Sequence, residues 1–373
     1  MTPLQIITLV MCLAYIGYVI YEKIELTQLR KKFKLIVHVN GIRGKSTTTR
    51  LIDAGLRNCG YKVFSKTTGT LPTMIDVNNN DVLLKRLGPA NIREQMKMLK
   101  LAAKQGADTI VLECMAVNPE LQKICEEHIL KADICVITNV REDHIGEMGD
   151  TLEELAMSLS LTTPKRGVLI TNDGEYNEVF RKTARSKQSQ FVVAKPFTGV
   201  NDLQTFDENI AVALEVARSL HLDESKFMEG LRQYHKDIGA YGEYKVGNTV
   251  LLNGFSINDI TSIKMAYEGI CTRYKKESIS LLINNRDDRP TRTIQMISML
   301  EDLEFKKIIL VGSNINYLIK TLKRRYKDKE IVVLNEIEDL LKEEVIFGIG
   351  NIANKGMKVL EFFKKGSEVK WVD

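Results

Sequence analysis

The run His38-Val39-Asn40-Gly41-Ile42-Arg43-Gly44-Lys45-Ser46-Thr47 restricts what this chain can be more than any other feature. It joins an apolar strand, Leu35 to Val39, through a glycine turn to a lysine, a hydroxyl and a helix-forming stretch. Glycines let backbone N–H groups turn inward, and a helix N-terminus adds partial positive charge, so such a turn cradles phosphate. Lys45 would reach the β and γ phosphates of a nucleoside triphosphate, and Ser46 would hold Mg²⁺. The loop is shorter than the common P-loop, because Val39 stands where that motif has its first glycine. The alternative is a plain strand–turn–helix connection.

The 373 residues are enough for two full domains. A net charge of +5 is too small to argue for nucleic acid, but it suits an anionic membrane face or anionic substrates. Six scattered cysteines form no metal-ligand spacing and read as free thiols in a reducing compartment. Leu4 to Ile20 runs about 17 residues without a charge, with Tyr15, Tyr18 and Tyr21 toward its end and the basic cluster Arg30, Lys31, Lys32, Lys34 beyond. This pattern predicts an uncleaved single-pass anchor in the cell membrane with the body of the protein in the cytoplasm. A buried or interfacial helix is the other reading.

Past the anchor, strands and helices alternate, which predicts an α/β chain with a doubly wound, mainly parallel sheet. Strands are expected at 34–39, 61–65, 108–112, 133–138, 167–171 and 191–194, and helices at 45–58, 92–105, 151–161, 175–184 and 207–220. Residues 66–90 read as a long polar loop, a kind that is usually functional. The texture changes around Gly239, Gly242 and Gly247, so the expected organisation is an anchor and basic flank (1–30), a P-loop ATP-binding domain (31–237) and a smaller Rossmann-like α/β domain (238–373).

In doubly wound sheets ligands lie at the carboxyl ends of the strands, and several reactive residues fall there. Glu113 ends an apolar run and is placed to bind Mg²⁺; a solvated charge is the alternative. His144, in Asn139-Val140-Arg141-Glu142-Asp143-His144, sits at the same edge. Thr68, in Lys66-Thr67-Thr68-Gly69-Thr70, belongs to a loop with a cation and hydroxyls that can close over phosphates. Arg286, Arg289 and Arg292 follow a strand in the second domain and suit carboxylate recognition, unless Asp287 and Asp288 neutralise them.

Together these runs, with Glu113-Cys114-Met115-Ala116-Val117-Asn118-Pro119, Asn253-Gly254-Phe255 with Asn258-Asp259, and Gly348 with Gly350-Asn351-Ile352, resemble the Mur ligase-like ATP-dependent amide ligases. Within that family the chain is most similar to the ligase subunits of poly-γ-glutamate synthases. The resemblance implies that Asn40, Gly41, Arg43, Gly44, Lys45, Ser46 and Thr47 bind ATP phosphates. It implies that Ser46 and Glu113 ligate Mg²⁺, that His144 holds a second Mg²⁺, that Asn139 contacts nucleotide, and that Asn253 stands near the ribose or the domain hinge. It also implies a capsule-type polymer of glutamate as product and small membrane subunits as partners. Gly242 stands where these subunits carry an arginine, and residues 158–163 contain no lysine of the kind that many members modify to assist the second metal.

The implied reaction activates a γ-carboxylate as an acyl phosphate, which the amine of glutamate then attacks, releasing ADP and phosphate. Lys45, Glu113 and His144 would carry the catalysis. Closure of the second domain would exclude water. A folylpolyglutamate-type ligase shares this chemistry without an anchor. A membrane-tethered P-loop ATPase driving transport or assembly would turn over ATP and form no bond.

Overall fold

All six residues of Leu35–Asn40 (β1) are buried, as a strand covered on both faces requires. The computed structural model describes residues 2–368, apart from 70–71, 85, 87, 89, 143–145, 200–202, 204, 238, 258–259, 286–295 and 353. The chain divides into two compact units, residues 1–236 and 237–373.

In the first unit β2 (Val63–Thr67), β3 (Thr73–Ile75), β4 (Asp81–Leu83), β5 (Thr109–Glu113), β6 (Ile134–Ile137), β7 (Val168–Thr171) and β8 (Gln190–Val193) join β1. The order is β4-β3-β2-β5-β1-β6-β7-β8, parallel except for the β3–β4 hairpin at one edge. The helices are α1 (Pro3–Arg30), α2 (Lys45–Asn58), α3 (Arg93–Lys104), α4 (Pro119–Ile124), α5 (Leu152–Ser160), α6 (Asn177–Ser186), α7 (Asp207–Ser219) and α8 (Glu224–Arg232). Strand alternation sorts the core. Val37 and Val39 pack with Leu51 and Ile52 of α2, Ile210 of α7 and Phe227 of α8. Ile36 turns to the other face, with Met96 and Leu99 of α3 and Leu26 and Leu29 of α1.

His38 and Asn40 share that second face and explain the polar letters in an otherwise apolar strand. Asn40 Nδ2 donates to Gln122 Oε1 at 2.9 Å, and His38 Nδ1 lies 2.9 Å from Glu126 Oε2. Burial alone would lower the His38 pKa, but its contacts with the Cys114 thiol and the Glu126 carboxylate outweigh that and raise it from 6.5 to about 9. A raised folded-state value means the pair stabilises fully below pH 6.5 and loses its contribution as pH rises through about 9. Melting temperature should therefore fall across that window, and His38→Gln should flatten the fall. An alkaline limb unchanged in the variant would show that other groups set it.

Residues 66–90 are not the open loop that their polarity suggests. β2 runs on to Thr67, and the β3–β4 hairpin extends the sheet. Arg50, buried in α2, fixes that hairpin through both Asp81 oxygens at 3.0 Å. The sequence reading also passed over α8 and the helical segment Pro119–Leu130, whose last six residues form a π-helix.

The second unit holds β9 (Gly242–Val246), β10 (Thr249–Asn253), β11 (Ile279–Asn285), β12 (Lys307–Gly312), β13 (Glu330–Val333) and β14 (Val345–Gly350). Their order is β13-β12-β11-β14-β10-β9, with β9 antiparallel and the rest parallel. With α9 (Ile260–Cys271), α10 (Ile315–Arg325) and α11 (Lys355–Glu368) this is a second α/β unit.

Among the described residues α1 is the one helix long and apolar enough to cross a membrane. Its large apolar side chains from Leu4 to Ile24 are exposed, whereas Leu26 and Leu29 belong to the core. Arg30, at the head of the basic cluster, pairs with Asp133 at 2.9 Å. All six cysteines are free.

Candidate active site

The turn between β1 and α2 lies at the carboxyl end of the central strand. Gly41 (φ +123°) and Gly44 (φ +79°) take conformations that side chains rarely adopt, and each is also crowded. A Cβ on Gly41 would lie 2.1 Å from Thr138 Oγ1, and one on Gly44 would lie 2.2 Å from Asn209 Oδ1. Gly44 caps α2, so Lys45, Ser46 and Thr47 form its first turn.

The segment after β6 pins this turn. Asn139 Oδ1 accepts from Arg43 N at 3.0 Å, while Asn139 Nδ2 and Thr138 Oγ1 donate to Arg43 O at 3.1 and 2.6 Å. Asn139 therefore holds the backbone of the turn itself. Lys45 Nζ folds back on the turn, donating to Gly41 O at 2.8 Å and Ile42 O at 3.2 Å.

Beside Lys45, Ser46 Oγ donates to Glu113 Oε2 at 2.8 Å. The same carboxylate accepts from Thr68 N at 2.7 Å and from the Thr68 hydroxyl. β1 and β5 pair Val39 with Glu113, which brings the end of β5 level with the turn. Ser46, Thr68 and Glu113, three residues chosen on sequence grounds from three segments, thus meet at one point.

Other chosen residues lie elsewhere. The Asn40 side chain faces Gln122 and Thr162, away from the turn, because even-numbered β1 positions point to the α4 side. Asn253 belongs to the second unit, where its Nδ2 donates to Ala240 O at 2.9 Å. Gly242 opens β9 opposite Asn253, and a Cβ there would meet nothing closer than 3.4 Å. His144, Arg286, Arg289 and Arg292 lie outside the described residues.

Lys66 is no loop cation. It is fully buried and pairs with Glu94 Oε1 at 2.7 Å, while Arg86 holds Glu94 through bonds of 2.8 and 3.0 Å. Burial lowers the Lys66 pKa, and Glu94 opposes that shift. Gln95, which nothing in the sequence marked, donates from Nε2 to Glu113 O at 2.9 Å. Asn209 was likewise unmarked; it accepts from Thr48 Oγ1 at 3.3 Å beneath the turn.

Residues 39–252 match the Mur ligase middle domain, and residues 238–366 match the poly-gamma-glutamate synthase CapB C-terminal domain. The chain is 34% identical to PGA synthase CapB of Bacillus subtilis (strain 168) over 351 residues, 87% of this chain and 89% of that protein. The chain belongs to the Mur ligase family. It is an ATP-dependent amide ligase by family and a homologue of poly-γ-glutamate synthase CapB. The capsule biosynthesis protein CapB of Bacillus anthracis is 31% identical over 340 residues, 85% of this chain and 73% of that protein.

The Mur ligase fold also appears in a folylpolyglutamate synthase/dihydrofolate synthase of Yersinia pestis, solved with AMPPNP and Mn ion. That structure has a TM-score of 0.61, shares 13% identity, and matches 92% of each chain. Both the α/β architecture and the ligase family expected from the motifs hold.

Proposed function

We propose that this ligase builds a polymer of glutamate at the cytoplasmic face of a membrane, joining the γ-carboxylate of one residue to the amine of the next. A γ-carboxylate oxygen attacks the terminal phosphorus of ATP, and ADP leaves with the electrons of the broken P–O bond. The glutamate amine then attacks the acyl carbon, loses a proton, and phosphate departs. What supports this reading most is the family together with the meeting of Lys45, Ser46, Thr68 and Glu113 at the β1–α2 turn.

The turn supplies backbone N–H groups and the N-terminal end of α2 to phosphate. Lys45 exchanges its bonds to Gly41 O and Ile42 O for the triphosphate, and neutralises charge as it shifts toward ADP. The oxygen donors Ser46 Oγ, Thr68 Oγ1 and Glu113 fit a hard cation, and Ser46 and Glu113 would hold Mg²⁺. Bound there, Mg²⁺ would offset phosphate charge and orient the transfer. Asn139 and Thr138 keep the turn shaped for this by fixing Arg43 O.

Glutamate as substrate follows from the similarity to PGA synthase CapB. The exposed apolar length of α1 supports an anchor, and small membrane subunits are the expected partners.

The reading is tested by ADP release from membranes holding the full chain, with and without L- or D-glutamate. Release should depend on one of the two. Turnover indifferent to both would instead identify an ATPase or a ligase of another amino acid.

A further inference from the structure

α1 is more than a tether. Where its exposed apolar stretch ends, its side chains grip α3. Arg93 Nη2 donates to Tyr18 Oη at 2.8 Å and to the Glu22 carboxylate. Lys100 Nζ pairs with Glu25 Oε2 at 2.8 Å. Leu26 and Leu29 then pack into one cluster with Met96, Met98 and Leu99 of α3. The two polar grips are seven residues apart on α3, about 10 Å along its axis, so they fix its height and rotation together.

Between those grips α3 carries Glu94 and Gln95, which face the site. Gln95 Nε2 donates to the backbone oxygen of Glu113 at 2.9 Å, and its Oε1 accepts from Lys66 Nζ at 3.5 Å. Glu94 holds Lys66 at 2.7 Å. Gln95 and Lys66 are fully buried, so neither can exchange a lost partner for water. A small shift of α3 therefore displaces Glu113, which must stay aligned with Ser46 and Thr68.

We propose that α3 is a strut: α1 sets its position, and Gln95 passes that position to Glu113. Gln95 is then a positioning residue for the metal carboxylate, and the anchor helix is part of the framework of the site. This rests on the reading of Glu113 as a metal ligand. The competing view is that Glu22–Arg93 and Glu25–Lys100 are half-exposed ion pairs of little consequence. Charge reversal separates the two views.

The experiment uses the full-length protein in lipid nanodiscs, with Mn²⁺ binding in the presence of AMPPNP followed by paramagnetic resonance, and melting temperature alongside. Glu22→Arg and Arg93→Glu should each weaken Mn²⁺ binding about threefold or more. The double variant, with the pair restored in reverse, should return to within about twofold of the parent. Gln95→Leu should weaken binding about tenfold. Lys182→Glu, an exposed position on α6, should change nothing.

Single reversals that bind Mn²⁺ like the parent would overturn the strut, as would a double variant no better than the singles. A parent protein showing no nucleotide-dependent Mn²⁺ binding would remove the metal reading of Glu113 and the strut with it.

Discussion

Lys45→Ala should lower ADP formation by about 10³-fold while leaving the melting temperature nearly unchanged. The size follows from what the group does. As the terminal phosphoryl moves, charge accumulates on the oxygen left with ADP, and a fixed ammonium is worth more there than in water. The stability side follows from what Lys45 touches. Its half-buried ammonium donates to two neutral carbonyls, Gly41 O and Ile42 O, and the side chain belongs to none of the apolar clusters of the core. Lys45→Arg should recover little of the rate, because a planar guanidinium does not replace a compact ammonium in a tight glycine turn. The measurement is single-turnover ADP formation beside a thermal melt. A variant that loses its melt together with its rate would show the lysine to be structural.

Glu113→Gln should be nearly as damaging, with a loss of about 10²-fold or more and Mn²⁺ binding reduced in parallel. In the structure this carboxylate only accepts: from Ser46 Oγ, from Thr68 N and from the Thr68 hydroxyl. An ionised carboxylate can do that with both oxygens, whereas an amide must present an NH₂ to one set of donors. The substitution therefore removes the charge a metal needs, while an amide oxygen in the place of Oε2 still accepts from Ser46 Oγ and Thr68 N and an NH₂ in the place of Oε1 donates to the Thr68 hydroxyl. Bonds to a charged acceptor become neutral ones, so a stability cost of about 1 kcal/mol should accompany the lost rate. Rate lost with full Mn²⁺ affinity would move the metal site elsewhere.

How much of this was legible in the chain depended on whether a signal was local. α2 spans Lys45–Asn58, the span expected, because Gly44 supplies the left-handed cap and Cys59-Gly60 the stop. Ser46 and Glu113 were legible because both lie at strand ends of an alternating α/β pattern. Asn40 misled for a physical reason. It stands inside the glycine motif, yet strand alternation turns it to Gln122, as it turns His38 to Glu126.

Lys66 misled similarly, since a lysine before two threonines and a glycine reads as solvent-facing, and Glu94, 28 positions later, is the carboxylate it is buried against, with Gln95 beside it. Gln95 and Asn209 left no trace at all. Each is an ordinary polar letter in an amphipathic helix whose partner is set by tertiary packing. The β3–β4 hairpin was hidden because its strands are three residues each and β4 is exposed throughout, so neither shows the apolar alternation that marks a strand.

The central claim is that ATP is spent on a carboxylate. It is tested most directly by placing oxygen-18 in the γ-carboxylate that is to be activated, on the glutamate that donates its acyl group, and analysing the phosphate released. Activation through an acyl phosphate transfers one labelled oxygen to each phosphate as the amide forms, and the Lys45→Ala protein should yield none. Phosphate whose fourth oxygen comes from water, with no label from the carboxylate, would mean ATP is hydrolysed without activating the carboxylate, and would contradict the account.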